Sequence, residues 1–108
     1  ATSNICTAQV LLAVISAFYA MWHGPAGLKL IAQRIHDQTN SLANSLKKKN
    51  YEVVNKSFFD TLTIKVPDAN IIHQAAFDNQ INLRVIDSEH VGVSLDETTN
   101  DQTLSKLS

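Results

Sequence analysis

Thirteen residues near the start of this 108-residue chain, Val10 to Trp22 (VLLAVISAFYAMW), are apolar apart from Ser16. Wound into a helix, they point in every direction rather than along one stripe. A helix that is apolar on all sides is normally buried on all sides. The run is shorter than the about 20 residues that cross a bilayer, and Gln9 and His23-Gly24-Pro25 close its two ends. The stretch before it, Ala1-Thr2-Ser3-Asn4-Ile5, lacks the basic residues of a signal peptide. The expectation is a helix of a soluble protein from about Asn4 to Trp22, capped by Ser3 or Asn4, with no membrane partner. Two arrangements would bury it. Either it is the central core helix of this chain, or neighbouring protein covers it, as a partner or as more of the same polypeptide. A chain of this length makes one domain at most and buries roughly 65% of its unfolded surface. That leaves few elements to wrap the helix, which favours the second arrangement and self-association through this surface when the chain is alone.

Composition narrows the class further. The chain is 44% hydrophobic and 18% charged, with a formal net charge of -1, which excludes disorder. Neutral balance and 6% aromatic residues give no footprint for nucleic acid. A lone cysteine, Cys6, cannot form an internal disulfide.

Beyond the Gly24-Pro25 break, Leu28, Ile31, Ile35, Leu42 and Leu46 recur at helical spacing from Ala26 to about Lys49, widened by Ala32 and Ala43. Lys47-Lys48-Lys49 complements the negative end of that helix, and Asn50 suits its C-terminal cap. The period then changes to two. Tyr51 to Ser57 reads as a short strand, and Thr61 to Val66 as a strand with Leu62, Ile64 and Val66 inward. Pro67 ends it, and Asp68 caps a helix over about Ala69 to Asn79 that buries Ile72, Ala75 and Ala76. Ile81, Leu83 and Val85 alternate in one further strand and Val91, Val93 and Leu95 in another, joined by a turn at Asp87 to His90. Thr98 and Asp101 resemble a capping box before a last helical stripe at Leu104 and Leu107. The order predicts an α+β fold: a two-layer sandwich of a mostly antiparallel four-stranded sheet with helices, preceded by a long apolar helix. Residues 1–23 are expected to connect to a larger domain and residues 24–108 to form a small α+β domain, with both ends reading as cut.

Complete catalytic constellations are not evident. The histidines at 23, 36, 73 and 90 lack metal-ligand spacing, and glycines at 24, 27 and 92 make no phosphate loop. His23 suits an interaction with the last carbonyls of its helix. Cys6, near a helix N-terminus, has no identifiable base, and Asp96-Glu97 suit the entrance of a helix. Thr2, Ser3, Asn4 and Thr7 offer hydroxyls, an amide and free backbone N–H groups at a helix start. They are the candidate contacts for an anion or a neighbouring protein surface, set beside plain N-capping.

The opening Ala1-Thr2-Ser3-Asn4-Ile5-Cys6-Thr7-Ala8-Gln9 closely resembles a signature of the glycine dehydrogenase (decarboxylating) family, the P-protein of the glycine cleavage system. The resemblance continues in family order through His23-Gly24-Pro25, Gly27-Leu28, Phe59-Asp60-Thr61-Leu62, Ile81-Asn82-Leu83-Arg84 and Val93-Ser94-Leu95-Asp96-Glu97-Thr98. Met21-Trp22 depart from it, since relatives tend to carry a smaller residue followed by tyrosine. The resemblance implies the small domain of the aspartate-aminotransferase-like fold, at the end of the first half of an enzyme that uses pyridoxal phosphate. It implies an enzyme that decarboxylates glycine and passes the aminomethyl group to the lipoyl arm of the H-protein. It also implies bacterial cytoplasm or the eukaryotic mitochondrion. In the family, the cofactor lysine follows a histidine ahead of a glycine-rich run. Here no histidine precedes a lysine, so none of Lys29, Lys47, Lys48, Lys49, Lys56, Lys65 or Lys106 is assigned as the Schiff-base residue. The expectation is a structural piece that binds no cofactor and is inactive alone, its partners the remainder of the P-protein and the H-protein. The competing expectation is a free-standing two-layer module that binds a small ligand or a protein.

Overall fold

The structure, a computed structural model, describes residues 7–99, with Thr7 described by its backbone only. In chain order the elements are α1 (Thr7–Lys48), β1 (Glu52–Val53), β2 (Thr61–Lys65), α2 (Ala69–Asp78), β3 (Arg84–Asp87) and β4 (His90–Ser94). They fall into two compact units, Ala1–Ala32 and Gln33–Ser108.

In the first unit, α1 is interrupted at Gly24, whose φ of 68° and ψ of 174° only glycine adopts without strain. Pro25 then opens the second helical arm, where its missing N–H costs no hydrogen bond. The apolar run before the break is uncovered: Leu11 is 66% exposed, Phe18 63%, Met21 74% and Trp22 88%.

In the second unit the strands run in the order β1-β2-β4-β3, and all three pairings are antiparallel. Leu62 pairs with Val93 and Ile64 with Val91, so one face of β2 and β4 carries the apolar residues. These join Leu42, Ala43 and Leu46 of α1 and Ala69 of α2 in a single core. On the opposite face Thr61, Lys65 and Ser94 are exposed. The fold is α+β, as the period change along the sequence predicts.

Both helices of this unit end in the same device. Asn50, at φ 67°, places the Tyr51 N–H 3.0 Å from the Leu46 carbonyl, and the Asn50 N–H donates to Lys47. Gln80, at φ 60°, does the same for α2, with Ile81 donating to Ala76 at 2.8 Å and Gln80 to Phe77. This is the left-handed C-terminal motif that satisfies otherwise orphaned carbonyls. At the other end of α2, the Asp68 carboxylate accepts from the Asn70 N–H, the predicted N-cap.

Three sequence expectations need correction. The strand predicted over Tyr51 to Ser57 forms a ladder only at Glu52–Val53, with one further backbone bond from the Val54 N–H to the Thr63 carbonyl at 2.8 Å. The Thr63 N–H, the next ladder donor, goes to the Asn55 side-chain oxygen at 2.6 Å, and that ends the backbone ladder. The strand predicted from Ile81 begins instead at Arg84, because Ile81 is engaged in closing α2. Val85 is consequently 73% exposed on an edge strand whose register shifts between Val85 and Asp87. In α2, Ala75 is exposed, whereas Ala69 and Ala76 are buried with Ile72 half-buried. The inward stripe is 69-72-76, and 75 lies one position off it. The last helical stripe at Leu104 and Leu107, Asp101 of the Thr98–Asp101 box and the N-cap at Ser3 or Asn4 fall outside the described residues.

Candidate functional site

The first arm of α1 presents an uncovered apolar surface. Ile15, Phe18, Tyr19, Met21 and Trp22 line an open apolar hollow on the first arm of α1. Tyr19 and His23, one turn apart, bring their rings to 4.4 Å between centroids at 56°. A side chain at Gly27 would place its Cβ 3.2 Å from the His23 Cβ, so glycine there leaves His23 room to pack. His23 is thus held by a ring contact, rather than being identified with a carbonyl of its own helix. By length and composition alone, α1 over Ala8–Lys48 is long and apolar enough to cross a membrane, and none of its most apolar window is buried.

In the second unit, the polar groups gather where β2 begins and β4 ends. Thr61 Oγ1 lies 2.9 Å from Ser94 Oγ across the strands and 2.9 Å from its neighbour Asp60 Oδ1, to which it donates. The Leu95 N–H donates to the Asp60 carbonyl, which continues the pairing past the ladder. His36 of α1 reaches the same corner: its Nδ1 is 3.1 Å from the Phe59 carbonyl, and its ring stacks on Phe59 at 5.5 Å. Among the described residues no imidazole joins the Ser94–Thr61–Asp60 chain, which ties the start of β2 to the end of β4.

Next to it, residues 96–99 form a reciprocal turn. Asp96 Oδ1 accepts from both the N–H and the hydroxyl of Thr98, while Thr99 Oγ1 accepts from the Asp96 N–H. The hydroxyl and N–H of Thr98 pull the Asp96 carboxyl below its usual range. The Thr99 carbonyl takes Gln38 Nε2 at 3.2 Å and Arg34 at 3.4 Å, so two side chains one helical turn apart clasp it. Sequence reasoning missed this clasp. Its only signal was a polar i, i+4 pair bordering an apolar stripe.

At the β3–β4 turn, Asp87 Oδ1 accepts from the Glu89 N–H at 2.8 Å and lies 2.8 Å from His90 Nδ1. The Glu89 N–H first, and His90 after it, lower the Asp87 carboxyl from its ordinary value. Asp87 is exposed, so this is a turn lock with little electrostatic weight.

Of the candidate contacts read from sequence, Thr2, Ser3 and Asn4 lie outside the described residues, as does Cys6, and Thr7 is the first residue of α1. Among the described residues, no three His, Cys, Asp or Glu side chains are grouped to hold a metal ion. All described lysines are exposed.

An α+β unit preceded by an uncovered apolar helical arm is the class of fold that the described residues make. The family described as glycine cleavage system P-protein matches residues 1–108. The glycine dehydrogenase (decarboxylating) of Stutzerimonas stutzeri is 53% identical over 108 residues, covering 99% of this chain and 11% of the relative. That of Nostoc sp. is 54% identical over 101 residues, covering 92% of this chain and 10% of the relative. The glycine dehydrogenase (decarboxylating), mitochondrial, of Pisum sativum is 50% identical over 107 residues, covering 99% of this chain and 10% of the relative. The chain belongs to the glycine cleavage system P-protein family, and it spans about a tenth of the length of the relatives it matches.

Proposed function

We propose that this chain is a structural part of a glycine dehydrogenase (decarboxylating), the first arm of α1 serving as the surface against which the rest of that enzyme packs. The observation that carries the reading is the uncovered run from Val10 to Trp22 in a chain a tenth the length of its relatives. Residues 1–23 act as the connecting helix and residues 24–108 as the small domain of an aspartate-aminotransferase-like fold. The whole enzyme decarboxylates glycine with pyridoxal phosphate and passes the aminomethyl group to the lipoyl arm of the H-protein. The described residues do not fit that cofactor. A Schiff-base lysine needs a sheltered site beside a partner for the ring nitrogen and a phosphate cradle, and the described lysines stand in solvent. No chemical step is therefore assigned to them.

Protein rather than lipid is the proposed cover. The uninterrupted apolar run is thirteen residues long and stops at the Gly24–Pro25 break, against about 20 residues for a span. Nucleic acid is not a proposed partner, and the compartment is that of the parent enzyme: mitochondrion or bacterial cytoplasm.

The test has two arms. Light scattering coupled to size exclusion should show the 108-residue chain self-associating, and Phe18→Glu with Trp22→Glu should return it to monomer. Glycine-dependent carboxyl exchange with H-protein should be absent from this chain and present in a polypeptide of full family length. A monomeric parent chain would refute the docking role, and exchange by the chain alone would refute the structural one.

A further inference from the structure

The clasp on the Thr99 carbonyl leaves one buried group unanswered. Gln38 is only 9% exposed, and its Oε1 finds no hydrogen-bond donor among the described residues. The orientation of the amide is fixed, because Nε2 donates to the Thr99 carbonyl at 3.2 Å. Turning the amide over would set two oxygens against each other. A buried acceptor with no donor forfeits its hydration for nothing, and such groups are nearly always paired in folded proteins. The chain itself leads on from this point. Thr99 is the last described residue, and nine more, Asn100 to Ser108, follow it in the sequence.

We infer that residues 100–108 dock along the Arg34–Gln38 flank of α1, the Asp101 N–H donating to Gln38 Oε1 and the Asp101 carboxylate facing Arg34. Backbone accounting selects this donor. The Thr99 carbonyl accepts from both Gln38 Nε2 and Arg34. With its two lone pairs so used, it has no place for the N–H that a helix would bring from four residues on. The chain therefore leaves Thr99 extended. In an extended chain the carbonyl of one residue and the N–H two residues later lie on the same side. A side-chain amide that takes the Thr99 carbonyl thus meets the Asp101 N–H. The Thr98 hydroxyl, which a capping box would turn to that N–H, is donated to Asp96 Oδ1 at 2.6 Å. Charge points to the same segment. Arg34 is exposed, and a guanidinium carries five donors, of which the Thr99 carbonyl takes one. Asp101 is the only acidic residue after Glu97, two positions past the clasped carbonyl.

The test is hydrogen exchange on the 108-residue chain, resolved to single amides. The Asp101 N–H should exchange at least tenfold more slowly than in a free peptide of residues 100–108, at a rate independent of chain concentration. Gln38→Met, which keeps the volume and removes both polar atoms, should return that amide to the peptide rate while β2 and β4 stay protected. Arg34→Gln should speed it in low salt and matter less in high salt, where the charge pair is screened. Should Gln38→Met disturb the fold, a chain ending at Thr99 gives a second readout: the Gln38 side-chain amide resonances should differ from those of the full chain. An Asp101 N–H that exchanges at the peptide rate in the parent would overturn the inference. So would protection that grows with concentration, which would assign the donor to a second copy, or Gln38 resonances identical in the two chains.

Discussion

Among the described residues, two other than glycine sit in the left-handed backbone region, and they were unequally visible beforehand. Asn50, at φ 67°, is a residue type that tolerates that region and follows a lysine triplet, so its capping role could be read from the sequence. Gln80, at φ 60°, gives no such sign, because its place follows from Ile81 folding back to the Ala76 carbonyl. Gln80→Gly should therefore raise stability by up to about 1 kcal/mol in urea unfolding, relieving a left-handed conformation that costs a side-chain-bearing residue about 1–2 kcal/mol. An unchanged or lowered midpoint would contradict this. The two shifted carboxylates make a second prediction. Asp87 and Asp96 are both held below their usual 3.8 in the folded chain. A depressed folded value stabilises above the unfolded value, and that contribution is lost as pH falls through the folded one. Denaturant midpoints should hold from neutrality down to about pH 5 and then decline below about pH 4. Asp96→Asn keeps an acceptor for Thr98 and should flatten part of that decline. Both groups are open to solvent, so the effect is small and shrinks in salt.

Among the elements, α1 shows most directly how local chemistry sets form. Gly24 at φ 68° and ψ 174° followed by Pro25 breaks it, and both residues announce the break in the sequence. Gly24→Ala finds no steric obstacle around its Cβ, yet it forces a backbone conformation reserved for glycine. It should cost about 1–3 kcal/mol and lower the thermal midpoint of the helical circular-dichroism signal. A midpoint equal to that of the parent would show that the break relaxes freely. Strand β1 makes the opposite case. Its residues alternate well enough to predict a full strand to Ser57, but Asn55 captures the Thr63 N–H, and past Glu52–Val53 only the Val54 N–H still reaches the opposite strand. A side chain that competes with its own ladder is visible only once the opposing strand is in register. For the same reason Val85, inward by alternation, is exposed beside a register shift on the edge strand.

On the scale of the whole chain, the buried core is drawn entirely from residues 42 to 95, which lie in the second unit. A chain starting at Gln33 should therefore keep one cooperative unfolding transition, with a midpoint within about 5 °C of the parent's. Loss of cooperativity would mean that the first arm contributes to that core. The family islands gain a spatial meaning here as well: Thr61 of one faces Ser94 of another, and Asp60 accepts from Leu95. By itself, the sequence determined the order of the described elements, the Gly24–Pro25 break, the α+β class and the family, because each depends on neighbours within a few turns or on a run of matching residues. Strand order, the bulged edge, the exposure of Trp22 and the clasp of Arg34 and Gln38 on a carbonyl 65 and 61 residues away were decided only in three dimensions. Those features depend on which distant surfaces meet, and residue spacing along one chain carries no record of that.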